Sequence, residues 1–141
     1  MNNALVPIDG SPAALRALAH ALRELGDRPD VRVHLLNVQA PLRQPWPGKL
    51  VSPNMIDAEL QAEGHRLLAP GEAMAHAAGI ACDSHVLVGA AAEEIVACAA
   101  QHACDAIVMS TLGRGAVVGL VLGSVAQEVV HLTHVPVTLV K

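Results

Sequence analysis

The chain contains no phenylalanine and no tyrosine, and its one tryptophan is Trp46. A core without aromatics must be aliphatic, and the 52% hydrophobic fraction comes almost entirely from Ala, Val and Leu. The same lack removes the platforms on which single-stranded nucleic acid stacks. Basic residues are also scarce: 9 Lys plus Arg stand against 13 Asp plus Glu, a net charge of −4, and no basic cluster interrupts the chain. Neither a nucleic-acid partner nor an anionic membrane surface is expected on that balance. Cys82, Cys98 and Cys104 are odd in number, form no CxxC pair and sit in apolar segments, so they read as reduced, mostly buried thiols. The longest apolar run, near Ala116 to Leu122, falls far short of the roughly 18 residues that suggest a membrane span. The opening MNNALVPIDG lacks the basic-then-apolar order of a signal peptide. A cytoplasmic protein with a single domain over residues 1–141 is the expectation, large enough to bury a core without disulfide or metal support.

What is present alternates regularly. Ala4 to Ile8 is a short apolar run that stops at Asp9-Gly10, and Ser11-Pro12 then offers an N-cap followed by proline at the first helical position. Leu15, Leu18, Leu22 and Leu25 follow at three- and four-residue steps, with Gly26 as the stop. Val31 to Val38 is a second buried strand, and Gln39 to Ser52 is a proline-rich loop around Trp46, either a cover over a site or a plain connector. Ser52-Pro53 opens a long helical region to Gly79, in which Pro70-Gly71 predicts a kink or a division into two helices. Ile80 to Val88 is a third strand, Ala91 to His102 a helix with Glu93 and Glu94 complementing its dipole, and Ala106 to Ser110 a fourth strand. Ser124 opens the last helix, where Ser124-x-x-Gln127 has the spacing of a capping box. The final run, Val135 to Val140, carries Pro136 and therefore belongs at a sheet edge, where so apolar a strand invites pairing with a second copy of itself.

Five strands and four helical regions in βαβα order predict an open parallel α/β sheet with helices on both faces, in which a ligand sits beyond the strand C-terminal ends. Three of those ends carry suggestive residues. Asp9 follows the first strand and is either an acceptor for ribose hydroxyls or an adenine amino group, or a turn-making aspartate before Gly10. Asn37-Val38 closes the second strand. After the fourth come Gly113, Gly115, Gly119 and Gly123, with the cationic Arg114 and a helix starting at Ser124, the order of parts from which an anion site is built. This loop is not a P-loop, since no lysine lies between Lys49 and Lys141, and it is not a Rossmann fingerprint, since it follows the fourth strand. His131 and His134 stand three apart near a helix end and read as exposed or capping residues rather than metal ligands, the remaining histidines are scattered, and no metal site is expected. No Gly-x-Ser-x-Gly nucleophile elbow occurs at Ser11 or Ser124.

VPIDGSPAALRAL at the start, LLNVQAP after the second strand, Gly113 followed by nine residues and Gly123-Ser124-Val125, and HVPVTLVK at the end together resemble the universal stress protein family, end to end and in order. The resemblance implies a Rossmann-like, adenine nucleotide alpha hydrolase-like fold of five parallel strands, a homodimer formed through Val135 to Val140, and ATP or another adenine nucleotide, with Mg2+ admitted as its co-ligand, held as a regulatory ligand in a stress-response protein. By position, Asp9 and the Val38 backbone would meet the adenosine part. Gly113, Gly123, Ser124 and the Val125 amide would hold phosphates and ribose, with Arg114 as an outer phosphate contact. Ser110 stands where the family pattern has its first glycine, and a Cβ there restricts φ and backbone approach. The alternative reading, a nucleotide-free dimeric adaptor of the same fold, draws on that departure. With no Walker-type lysine and no general base, hydrolysis is expected to be slow at most, and a nucleotide-handling enzyme is the third reading.

Overall fold

The computed structural model describes residues 1–41, 53–112 and 122–141. Nine elements alternate: β1 (Asn3–Pro7), α1 (Pro12–Leu25), β2 (Arg32–Gln39), α2 (Pro53–Ala77), β3 (Ala81–Val88), α3 (Ala91–Gln101), β4 (Ala106–Ser110), α4 (Ser124–Leu132) and β5 (Val137–Val140). The strands form one sheet in the order β3-β2-β1-β4-β5, and every pairing is parallel. Because chain order runs outward from β1 in one direction and from β4 in the other, the β1/β4 boundary is a topological switch point.

Two aliphatic clusters cover the two faces of the sheet. On one face Val6, Val33, Leu35 and Val86 pack with Leu18, Leu22 and Leu25 of α1 and with Leu68 and Ala75 of α2. On the other, Leu5, Leu36, Ile107 and Met109 pack with Ala92, Ile95 and Ala99 of α3 and with Ala126 and Val129 of α4. The near-continuous burial of β1 and β4 follows from having helices on both sides. Among the described residues the buried core is mostly Ala, Val, Leu and Ile, with Cys98, Cys104 and Met109 as its sulfur-bearing members and His34 and Asn37 as its buried polar ones.

The first helix begins as its sequence predicts. Ser11 is the N-cap in extended geometry, its hydroxyl accepts the Ala14 N–H at 3.2 Å, and Pro12 occupies the first turn. Two local details differ from expectation. Of the kink or division expected at Pro70, the division does not occur, and Pro53–Ala77 is one helix that runs through it. Leu60, Gly64, Leu68, Gly71 and Ala75 are buried at steps of three and four while Pro70 is exposed, so the backbone bond that proline forfeits lies on the solvent side and the inner face stays packed. Gly71 is part of that packing, since a Cβ there would lie 3.1 Å from both Leu18 Cδ2 and Leu35 Cδ1. The capping box at Ser124 is also not formed. The N-cap of α4 is Gly123, no side chain caps it, and Gln127 Nε2 instead donates to the Leu122 carbonyl at 3.1 Å.

Pro136 lies just before β5, where its missing N–H costs nothing and its carbonyl accepts from Ile107 N at 2.9 Å. β5 is an edge strand, as that proline predicts. The Ser52 cap and the Trp46 loop lie outside the described residues. No described helix is long and apolar enough to cross a membrane.

Candidate functional site

The C-terminal ends of β2, β1 and β4 lie side by side, and the parallel registers set their residues level with one another. Pro7 pairs with Leu36, and Ile8 N continues the ladder by donating to the Leu36 carbonyl at 2.8 Å, so two residues past the pair Asp9 stands beside Val38. On the other side Leu5 pairs with Ile107, and extending that register by three residues sets Ile8 beside Ser110. Asp9, Val38 and Ser110, from three separate stretches of chain, thus share one edge of the sheet.

The β1–α1 turn is tightly specified. Asp9 Oδ1 accepts the Ser11 N–H at 2.9 Å, which is the turn-making role open to an aspartate in this position. Gly10 has φ +88°, so the backbone conformation requires glycine, and a Cβ there would also press on the terminal Cδ2 of Leu67 at 2.8 Å. Beneath the turn, buried Asn37 donates from Nδ2 to the Ile8 carbonyl at 2.8 Å and accepts from Gln39 Nε2 at 2.6 Å. Sequence reasoning noted Asn37 only as the neighbour of Val38. Its role was hidden because an asparagine inside an apolar strand reveals nothing of its partner 29 residues away.

After β4 the chain returns to the same edge. Thr111 N donates to the Val140 carbonyl at 2.9 Å, and Gly123 N donates to the Thr111 carbonyl at 2.6 Å, which ties the start of α4 to the end of β4. Gly123, Ser124 and Val125 therefore stand at the switch point with Ser110. Lacking a side-chain cap, α4 presents the backbone donors of its first turn, and with them the positive end of its dipole, at this place. Gly113 and Arg114 lie outside the described residues.

The expectation at Ser110 is a Cβ that restricts φ and the approach of the backbone to a ligand, and the backbone geometry bears on the first of these. It is the last residue of β4, and among the described residues Ala103 is the only non-glycine with positive φ. The position therefore makes no demand that only glycine meets by conformation. The Ser110 hydroxyl donates to the Leu112 carbonyl at 2.5 Å and so is engaged with its own loop.

A separate groove of about 440 Å³ lies beyond β2, lined by Gln39, Glu59, Leu60, Ala62, Glu63 and Arg66. Arg66 is paired with Glu63, so the described lining carries one acidic charge in excess.

Helices on both faces of a parallel sheet, a switch point between β1 and β4, and an uncapped helix start beside it define a doubly wound α/β protein with an anion-receptive crevice. The pattern of the Universal stress protein family matches residues 1–141, and the chain belongs to that family. It is 32% identical over 139 residues to the universal stress protein MJ0531 of Methanocaldococcus jannaschii, an alignment that covers 97% of this chain and 80% of the relative. Among solved structures it is similar to the protein MJ0577, with a TM-score of 0.83 and 25% identity over 99% of this chain and 95% of the other. It is also similar to a family member from Arabidopsis thaliana with AMP bound, with a TM-score of 0.70 and 21% identity over 100% of this chain and 92% of that one.

Proposed function

We propose that this universal stress protein binds an adenine nucleotide, with ATP and Mg2+ as the form to test first, as a regulatory ligand in the crevice at the β1/β4 switch point. The observation that carries the reading is the uncapped start of α4, drawn against the end of β4 by the bond from Gly123 N to the Thr111 carbonyl. Backbone donors gathered there suit a phosphate, and neutral N–H groups fixed before binding need no reorganisation. The AMP carried by the Arabidopsis relative is consistent with this ligand class.

In this reading the phosphates lie over Gly123, Ser124 and the Val125 amide, joined by Gly113 and Arg114. The adenosine part lies toward the Val38 backbone and Asp9, whose Oδ1 is already held by the Ser11 N–H. Binding rather than turnover is the activity, because no general base is placed at α4 and the chain supplies no lysine to the crevice loop. The protein works as a cytoplasmic homodimer joined at the β5 edge. Isothermal titration with ATP and Mg2+ tests the ligand: saturable heat at or below millimolar ATP is expected, and its absence overturns the proposal.

Ser110 favours a second reading, a nucleotide-free dimeric adaptor acting through protein contacts. It stands at the end of β4 where the family pattern has glycine, and its hydroxyl is spent on Leu112. On that reading Ser110→Gly creates ATP binding that the parent lacks. Equal binding by parent and variant removes its support.

A further inference from the structure

His34, His85 and His102 are 51 and 17 residues apart in the chain, yet one ligand nitrogen from each lies within 4.8 Å of the other two. The sheet register explains how. His34 pairs with Asp83 and Leu36 with His85, so His34 and His85 are diagonal neighbours on the face that α3 and α4 cover. His102 is the C-cap of α3, which runs back against the strands and delivers its last residues to the sheet's N-terminal end. That end is fastened in place. Asn3 Nδ2 donates to the carbonyls of His102 at 2.9 Å and Ala103 at 3.2 Å, and the Asn2 N–H meets the Asp105 carboxylate at 2.8 Å.

We propose that His34, His85 and His102 form a binding site for a borderline divalent transition metal, with Zn2+ as its representative, at the end of the sheet opposite the nucleotide crevice. Imidazole nitrogen suits zinc, copper and nickel, whereas magnesium and calcium require oxygen. Three protein nitrogens with a fourth position left for water or a carboxylate is an established zinc arrangement. Four-coordinate zinc holds each nitrogen at about 2.0–2.1 Å, so neighbouring nitrogens sit roughly 3.3 Å apart. His34 Nδ1 and His85 Nε2 face one another at 3.0 Å, close to that spacing already. No two of the three nitrogens are more than 4.8 Å apart, so a tetrahedral site asks the widest pair to close by roughly 1.5 Å, and His102 is half-buried at a helix end where its ring can turn. Asp83 Oδ2 is 3.9 Å from His34 Nδ1 and 2.7 Å from Arg32 Nη1, which places a carboxylate beside the site and offsets the nearby guanidinium.

The chemistry of the donors agrees with this geometry. Burial, followed by the proximity of the other two rings, holds His34 below the ordinary imidazole range, and burial and then His102 do the same for His85. Neutral rings have the lone pairs that a metal takes. Metal at this position would tie the end of α3 to the paired strands β2 and β3, against which His102 already stacks its ring.

The test is a competition titration of chelator-stripped full-length protein with ZnCl2 against a chromogenic chelator, run with and without excess MgCl2. One zinc per chain at micromolar or tighter affinity, indifferent to magnesium, is expected, together with a melting temperature that rises with zinc. His102→Ala and His85→Gln each lower that affinity at least 100-fold, while the control His131→Ala/His134→Ala leaves it unchanged. Because His34 is nearly fully buried and its replacement risks the fold, the half-buried His102 is the decisive position. Zinc binding that survives both His102→Ala and His85→Gln, or no stoichiometric binding below 100 μM as a rough ceiling, overturns the site and leaves the rings as a hydrogen-bonded stack. Cobalt(II) gives an independent reading, with the absorption of a four-coordinate site of three nitrogens and one oxygen expected in the parent and lost in His102→Ala.

Discussion

Asn37 Nδ2 donates to the Ile8 carbonyl at 2.8 Å, joining β2 to the residue that follows β1 at the floor of the crevice. The asparagine is 2% exposed, and its own carbonyl accepts from Gln39, so both ends of the amide are satisfied inside the protein. Asn37→Ala leaves the Ile8 carbonyl without this donor and removes the acceptor for Gln39. A loss of about 1–3 kcal/mol in unfolding free energy is expected in urea titrations. If the crevice is the nucleotide site, ATP affinity falls further than the melting temperature alone explains, because the Asp9 turn is built on this bond.

Gly64 tests how closely α2 is seated. A Cβ at this position would lie 2.4 Å and 2.7 Å from the two methyl carbons of Val86, a β-branched side chain whose rotamer cannot easily yield, and 3.1 Å from Asn37 Oδ1. Gly→Ala in a helix interior ordinarily gains about 1 kcal/mol, whereas overpacking costs about 1–3 kcal/mol. With both methyl groups obstructed the clash wins, so Gly64→Ala is expected to lower the denaturation midpoint. The companion Val86→Ala/Gly64→Ala pair should recover part of the loss, read as a non-additive double-mutant cycle.

Burial pushes the Cys98 thiol up to about 11 and does the same for Cys104, helped in the first case by Glu94 and in the second by Cys98 and then Asp105. In the unfolded chain both ionise near 9, so between about 9 and 11 the unfolded state has lost protons that the folded state still holds. Stability is therefore fully present below pH 9 and declines as pH rises, by at most about 1.4 kcal/mol per pH unit for each thiol. With no tyrosine and two lysines in the chain, few other side chains titrate there. The gap between denaturation midpoints at pH 8 and pH 10.5 should be wider in the parent than in Cys98→Ala/Cys104→Ala, which keeps only Cys82, a thiol that burial also raises. A thiol reagent at pH 8 should modify half-buried Cys82 first and the other two only on unfolding.

The order of elements was legible because most strands carry a short aliphatic run and most are followed by glycine, proline or an acid at a turn. The edge position of β5 followed from Pro136 alone. What the chain order hid were relationships across the sheet. Whether Pro70 breaks α2 depends on which face it occupies, and that is decided by Leu68, Gly71 and Ala75 meeting α1 and β2. The Ser124-x-x-Gln127 spacing fits a cap by count, but tying Gly123 to Thr111 moves the cap one residue earlier and sends Gln127 to Leu122. The grouping of His34, His85 and His102 was least visible, since it needs the β2/β3 register and the return path of α3, neither of which leaves a local motif.

β5 offers the clearest test of assembly. It pairs with β4 on one side, and within the described chain no strand covers its other edge, which is the arrangement that invites a second copy to add antiparallel to it. Leu139 is 37% exposed and lies in the middle of the strand, a size of side chain that a monomer gains nothing by presenting to water. Leu139→Lys keeps the backbone donors and acceptors of the edge while placing like charges across a two-fold axis, and lysine on an edge strand is a standard deterrent to pairing. If the homodimer forms here, the parent scatters light as a dimer at micromolar concentration and the variant as a monomer, with little change in intrinsic monomer stability because the side chain is already part exposed. A variant that stays dimeric places the dimer surface elsewhere, and a monomeric parent at that concentration removes the β5 dimer altogether.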